Sequence, residues 1–244
     1  MPTVALIHFT GKDTPDERWY AARLLAFTKA TRLRLTPDAW QSFAAKSELE
    51  LQRELAYMSS TIASSWEFID LIFAINNVSR AAAQQITRTR NASYAMQSMR
   101  VTDVREMTAH VPPSLPAELR THYTLALSAG FSSYQYLVDH GASLEDARGV
   151  LPLNTHCNLL AKYNLRAWVD LVRARESLRV QDEYREVIAA MKQCVTEVWP
   201  WASTFIEPKQ AKAISIIEQV AINLPKEFQT LLAKAADLLK KEAA

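Results

Sequence analysis

Apolar positions along the chain fall into separate runs, and most runs carry their own boundary signals. Val4–Phe9 is an apolar run of strand length. Thr14, Pro15 and Glu17 then predict a helix start, with a Thr cap, Pro in the first turn and Glu three residues on, for a helix reaching about Lys29. A second start at Thr36-Pro37-Asp38 precedes Trp40, Phe43, Leu49, Leu51 and Leu55, whose spacing is loosely helical. Phe68–Ile75 is apolar, partly β-branched and short, which favours a buried strand. After the Pro-rich stretch 110–116, Tyr123, Leu127, Phe131, Tyr134, Leu137 and Val138 mark a long helix that stops at His140-Gly141, with Gly suited to the left-handed conformation. The segment from about Asn164 to Phe205 is helical in composition. Pro225 opens a tail helix with Phe228, Leu231, Leu232, Ala235, Leu238 and Leu239 on one stripe, and Lys240 and Lys241 suit its negative end. The pattern predicts mixed α and β structure in one domain, with a C-terminal helical extension.

Composition narrows the classes. With 49% hydrophobic residues, the 244-residue chain can bury a sizeable core. Its 28 basic and 26 acidic residues balance too closely for a general nucleic-acid binder. No apolar stretch approaches the roughly 20 residues of a membrane span, and no basic leader precedes the first apolar run, so the expected location is cytoplasmic, including a host cytoplasm if the gene is viral. Cys157 and Cys194 lack CxxC spacing and read as reduced thiols. The histidines His8, His110, His122, His140 and His156 are scattered, with no ligand-like pair on one helix face, so no metal site is expected.

Dinucleotide loops of GxGxxG type, phosphate loops, HExxH and GxSxG are all absent. Arginines beside small polar residues remain: Arg88, Arg90 and Arg100 near Ser98, Arg148 beside Gly149, then Arg166, Arg173 and Arg175. Most arginines in such a chain are solvated surface charges. Where three converge, their planar forks suit a nucleotide monophosphate, each charge-assisted bond contributing about 1.5–3 kcal/mol. Cys157 is a conceivable attacker of a pyrimidine ring, but only His156 stands near it in sequence to lower its pKa.

The segment Arg88-Thr-Arg90, seven residues, then Ser98-Met-Arg100 resembles the signature of the flavin-dependent thymidylate synthases. Ala147-Arg148-Gly-Val-Leu-Pro-Leu resembles a second block of that family, and Asn164-Leu-Arg166 through Arg175 to Gln181-Asp-Glu183-Tyr-Arg185, followed by Pro200-Trp201, resembles a third. Fainter likeness extends to Ala21-Ala22-Arg23 and Ser65-Trp66-Glu67, so residues 15–208 are covered. The resemblance implies an α+β fold, a single mixed domain with a small antiparallel sheet and flanking helices over 1–208 before a helical extension over 209–244. It also implies a homotetramer with FAD at subunit interfaces, methylenetetrahydrofolate as one-carbon donor, NADPH as reductant and dUMP as substrate. By position, Arg175 would be catalytic, polarising the uracil carbonyls. Gln85, Arg88, Ser98, Arg100, Arg148 and Arg175 would bind the nucleotide. Glu67, Thr87, Arg88, Thr89, Arg90, Asn164, Arg166 and Asp170 would face FAD.

The chain also departs from that pattern. Thr89 stands where the family has His, Ala95-Met96 where it usually has Asn-Glu, and Met99 and Val101 where Gly and Tyr are usual. The upstream stretch Ile62-Ala-Ser-Ser-Trp-Glu67 lacks the family's His, and Arg179 lies near another usual His. These changes predict an altered pocket and leave three expectations side by side: thymidylate formation, hydroxymethylation of dUMP or dCMP as used for modified viral DNA, and a catalytically silent nucleotide or flavin binder.

Overall fold

The computed structural model describes residues 1–32, 35–36, 38–61, 63–175, 181–206 and 226–242. The expectations attached to Ile62, Arg179, Pro208 and Pro225 lie outside these residues.

Strand β1, Thr3–Phe9, pairs antiparallel with β2, Asp70–Ser79. The second strand starts later than its apolar run predicts. Phe68 ends a 3-10 turn over Ala63–Phe68 and is 63% exposed, whereas Leu71, Phe73 and Ile75 alternate into the core. Two further strands, β3 (Ala92–Met96) and β4 (His156–Asn164), complete an antiparallel sheet in the order β1-β2-β4-β3. The expected helical segment therefore begins one residue late, because Asn164 closes β4 and caps the next helix. Its side-chain oxygen accepts from the Ala167 N–H at 2.8 Å.

Helix α1, Glu17–Thr28, forms where expected, but its entry differs. The Thr14 hydroxyl donates to Gly11 O, and Glu17 accepts from the Asp13 N–H, so Glu17 holds the preceding loop rather than completing a capping box with Thr14. The loosely helical segment after it divides into α2, Ala39–Ala44, and α3, Glu48–Met58. Ser47 forces the division by starting a new capping box: its hydroxyl accepts from Glu50 N–H, and Glu50 accepts from Ser47 N–H at 2.8 Å. Helix α4, Arg80–Ile86, follows β2 without a loop, capped by Ser79. The long helix α5, Ala117–Asp139, ends at His140 as its pattern predicts, with Gly141 at φ 89°. The His140 ring takes up the last turn through Nδ1 and Tyr136 O, 2.8 Å apart.

After the short α6, Leu144–Ala147, and β4, helices α7 (Leu165–Arg175) and α8 (Asp182–Val198) cover the sheet, and α9 (Ser203–Ile206) packs on α7. Val187, Ile188, Met191 and Val195 form the inner stripe of α8, which packs against β1 and β2. Trp199 stacks on Trp201 at 5.1 Å and meets Phe9 edge to face, fastening the end of α8 to the first strand. The tail helix α10 spans Lys226–Glu242, and its Phe228 and Leu231 are exposed. No helix among the described residues is long and apolar enough to cross a membrane.

Candidate functional site

Two elements build the central cleft. The turn from α4 into β3 presents Thr89, Arg90 and Asn91, and the solvent side of α7 presents Asp170, Ala174 and Arg175. Helical spacing explains the second set: residues 170 and 174 are one turn apart, while Val169 and Val172 face the core. Together these groups line an open cleft of about 210 Å³. It thus holds four residues that the family resemblance nominates: Thr89, Arg90, Asp170 and Arg175.

Arg175, one of the lining residues, rests on a buried aromatic ring. The Arg175 guanidinium lies over the Tyr184 ring, 5.7 Å from its centroid. Burial raises the Tyr184 phenol above its ordinary pKa, while the Arg175 charge pulls in the opposite direction. Beside it, the Tyr94 hydroxyl meets Thr89 O at 3.1 Å, Ile86 O at 2.9 Å and the Tyr163 hydroxyl at 3.2 Å. Burial likewise raises the Tyr94 and Tyr163 phenols. Tyr94 thereby fixes the turn that carries Thr89.

A second group forms around Glu145 on α6. Arg100 grips it bidentately, with Nε 2.7 Å from Oε1 and an Nη2–H donating to Oε2 at 3.3 Å. Arg148 lies 4.0 Å from the same carboxylate, and Ser98 Oγ accepts from the Arg100 N–H at 3.3 Å. The structure thus brings together Ser98, Arg100 and Arg148 from two distant sequence blocks. Their half-exposed cations leave the outer guanidinium edges open to an anion.

The other nominated residues lie apart from these groups. Glu67 pairs with Arg166 at 2.7 Å on the surface. Thr87 closes α4, its hydroxyl donating to Ala83 O at 3.0 Å, and Asn164 caps α7. Gln85 and Arg88 are exposed on and after α4. No ion pair or hydrogen bond among the described residues joins the cleft, the Glu145 group and the Glu67–Arg166 pair within one chain. Arg173 is structural, donating to Phe205 O and Ile206 O.

The altered positions divide in the same way. Met99 does not enlarge the cleft surface, because its side chain is buried in the core, whereas Val101, Ala95 and Met96 face outward. Cys157 is buried on β4, and loss of solvent pushes its thiol up to about 11, so it is not a thiolate at neutral pH.

One constellation is invisible in sequence. His110, His156 and Glu183 each offer a ligand atom, all within 4.8 Å of one another. Burial lowers the His156 pKa, partly offset by the Glu183 charge. Sequence distance hides the cluster; only the pairing of loop 108–110 with the start of β4, under the first turn of α8, creates it.

The family model for the thymidylate synthase complementing protein matches residues 6–201. Curated relatives named flavin-dependent thymidylate synthase include one from Geobacter sulfurreducens, 34% identical over 55% of this chain and 60% of its own length. Two others come from Nitratidesulfovibrio vulgaris, 29% identical over 72% of this chain and 77% of the relative, and Thermococcus onnurineus, 29% identical over 75% and 74%. The chain thus spans less than two thirds of the Geobacter relative and about three quarters of the other two.

Proposed function

Because this chain belongs to the thymidylate synthase complementing protein family, that of the flavin-dependent thymidylate synthases, we propose that it transfers one carbon to carbon 5 of a pyrimidine deoxynucleotide, converting dUMP to dTMP. Methylenetetrahydrofolate is the proposed carbon donor and NADPH the proposed reductant. When bound and reduced, FAD supplies the hydride that completes the methyl group.

The observation that carries this reading is the cleft in which Arg175 stands over Tyr184 beside Thr89, Arg90 and Asp170. A guanidinium fixed there polarises the carbonyls of a uracil ring and stabilises the enolate charge that makes carbon 5 nucleophilic. Such electrostatic activation suits a chain whose Cys157 is a buried neutral thiol, since no side-chain nucleophile is then required. Arg100 and Arg148, with Ser98, Gln85 and Arg88, take the nucleotide and its phosphate. Thr87, Thr89, Arg90, Asn164, Asp170, Arg166 and Glu67 take the flavin.

The donors fit an anionic or carbonyl-rich part of a flavin nucleotide, but the cleft, at about 210 Å³, is below the about 300–1,000 Å³ of ordinary ligand pockets. One chain therefore offers part of a flavin site, which supports sites completed between subunits of the proposed homotetramer. The face of α5 adds to this: Tyr134 is its buried residue, while Leu119, Leu125 and Tyr136 are exposed. The proposed division is a core over 1–208 followed by a tail over 209–244.

The test is the cofactor carried by protein purified without added flavin, with uptake measured after FAD is supplied. Yellow protein releasing FAD on denaturation is the expected result. A colourless protein that takes up no FAD would overturn the proposal.

A further inference from the structure

We infer that His110, His156 and Glu183 form a binding site for one divalent transition cation of the zinc type, separate from the arginine-lined cleft. Their ligand atoms converge within 4.8 Å, and His110 Nδ1 stands 3.8 Å from Glu183 Oε1. A tetrahedral ion with bonds of about 2.0–2.1 Å needs ligand atoms about 3.4 Å apart, a distance that small side-chain rotations reach. The backbone holds the ligands before any ion arrives. His110 N–H donates to Asn154 O at 2.8 Å, and His156 N–H donates to Thr108 O at 2.9 Å, so both rings come from one paired backbone segment.

The groups behind the ligands are also those a metal site uses. Thr108 Oγ1 lies 2.8 Å from His156 Nδ1, which fixes the ring and leaves Nε2 to coordinate. Glu183 has no exposed side-chain surface, and Ser79 orients it, with its N–H donating to Oε1 at 2.7 Å and its hydroxyl to Oε2 at 2.5 Å. No Lys or Arg among the described residues pairs with this buried carboxylate. A buried carboxylate with no basic partner is suited to a divalent cation shared with two imidazoles. Two imidazoles and one carboxylate suit zinc and its neighbours rather than calcium or magnesium. The ion would clamp the loop at Thr108–His110 to β4 and to the first turn of α8.

The test uses full-length, untagged protein stripped with a chelator and titrated calorimetrically with Zn(II), with Co(II) as a spectroscopic probe of coordination. One ion per chain is expected, with visible Co(II) bands of a four-coordinate site and a midpoint of thermal unfolding several degrees higher in Zn(II). His110→Ala and His156→Ala should each weaken binding more than a hundredfold, and Thr108→Val about 10–100-fold. If Glu183→Gln fails to fold, the two histidine variants decide. An absence of binding, or binding unchanged in both histidine variants, overturns the inference.

Discussion

Arg175 and Tyr184 are the two residues that join the cleft to the core: the guanidinium lies 5.7 Å from the centre of a fully buried ring. Arg175 ends α7 and Tyr184 sits in the first turn of α8, so each fixes the other where the two helices meet. Arg175→Ala should abolish turnover. Tyr184→Phe keeps the ring and should retain most activity, whereas Tyr184→Leu removes the cation–π contact of about 0.5–2 kcal/mol and should lower kcat/KM about tenfold. Steady-state kinetics on the three variants decides; full activity in Arg175→Ala would show that the assigned role is wrong.

Arg100 supports a different prediction. Its fork is committed to Glu145 along one edge, which aims the remaining N–H groups outward beside Arg148. Lys keeps the charge but cannot hold both the carboxylate and an anion. Arg100→Lys should raise the Kd for dUMP about 10–100-fold, by calorimetric titration, in line with about 1.5–3 kcal/mol for a charged hydrogen bond. Unchanged affinity would remove Arg100 from the nucleotide site.

The sheet carries much of the hydrophobic core. Phe73 is completely buried in the central strand β2 and meets Tyr163 edge to face at 6.2 Å. Phe73→Ala should cost about 3–5 kcal/mol in denaturant unfolding, because the fixed sheet cannot collapse into the gap. A loss below about 1 kcal/mol would mean that this face is not the core.

The tyrosines predict a response to alkali. Tyr94, Tyr163 and Tyr184 all have phenol pKa values raised in the folded state, chiefly by burial. Above about pH 10 the unfolded chain releases phenol protons that the folded chain retains, so unfolding becomes favoured. Their contribution is fully present below that pH and is lost as pH rises toward the folded values. Denaturant midpoints should stay level on this count up to about pH 10 and then fall, less steeply in Tyr163→Phe; an identical slope in that variant would contradict the assignment.

Much of the fold is legible in sequence because its elements carry strong local signals. Val4–Phe9 and the stop at His140-Gly141 follow from periodicity and glycine chemistry, and the first helix forms where expected although Asp16 rather than Thr14 precedes it and Pro15 lies outside its first turn. Strand β4 does not announce itself. Its inward residues include the small Ala161, and its outward Leu160 is apolar and 44% exposed, so the alternation is blurred. The site divides similarly. Thr89, Arg90, Asp170 and Arg175 do share one cleft, and Arg100 and Arg148 do meet, but only through Glu145, which lies outside the motif. Met99 reads as pocket bulk in sequence, because spacing does not say which side of the chain a residue faces. Glu183 and its histidines escape a linear reading because their proximity arises from topology alone.

Transfer of one carbon to the pyrimidine is measured by incubating the FAD-loaded protein with dUMP, methylenetetrahydrofolate and NADPH and identifying the nucleotide product by mass. The expected product is heavier than dUMP by one CH2 and forms only when flavin is present. A gain of CH2O would keep transfer to carbon 5 and overturn its reductive ending, and recovery of unchanged dUMP from folded, flavin-loaded protein would contradict the proposed activity altogether.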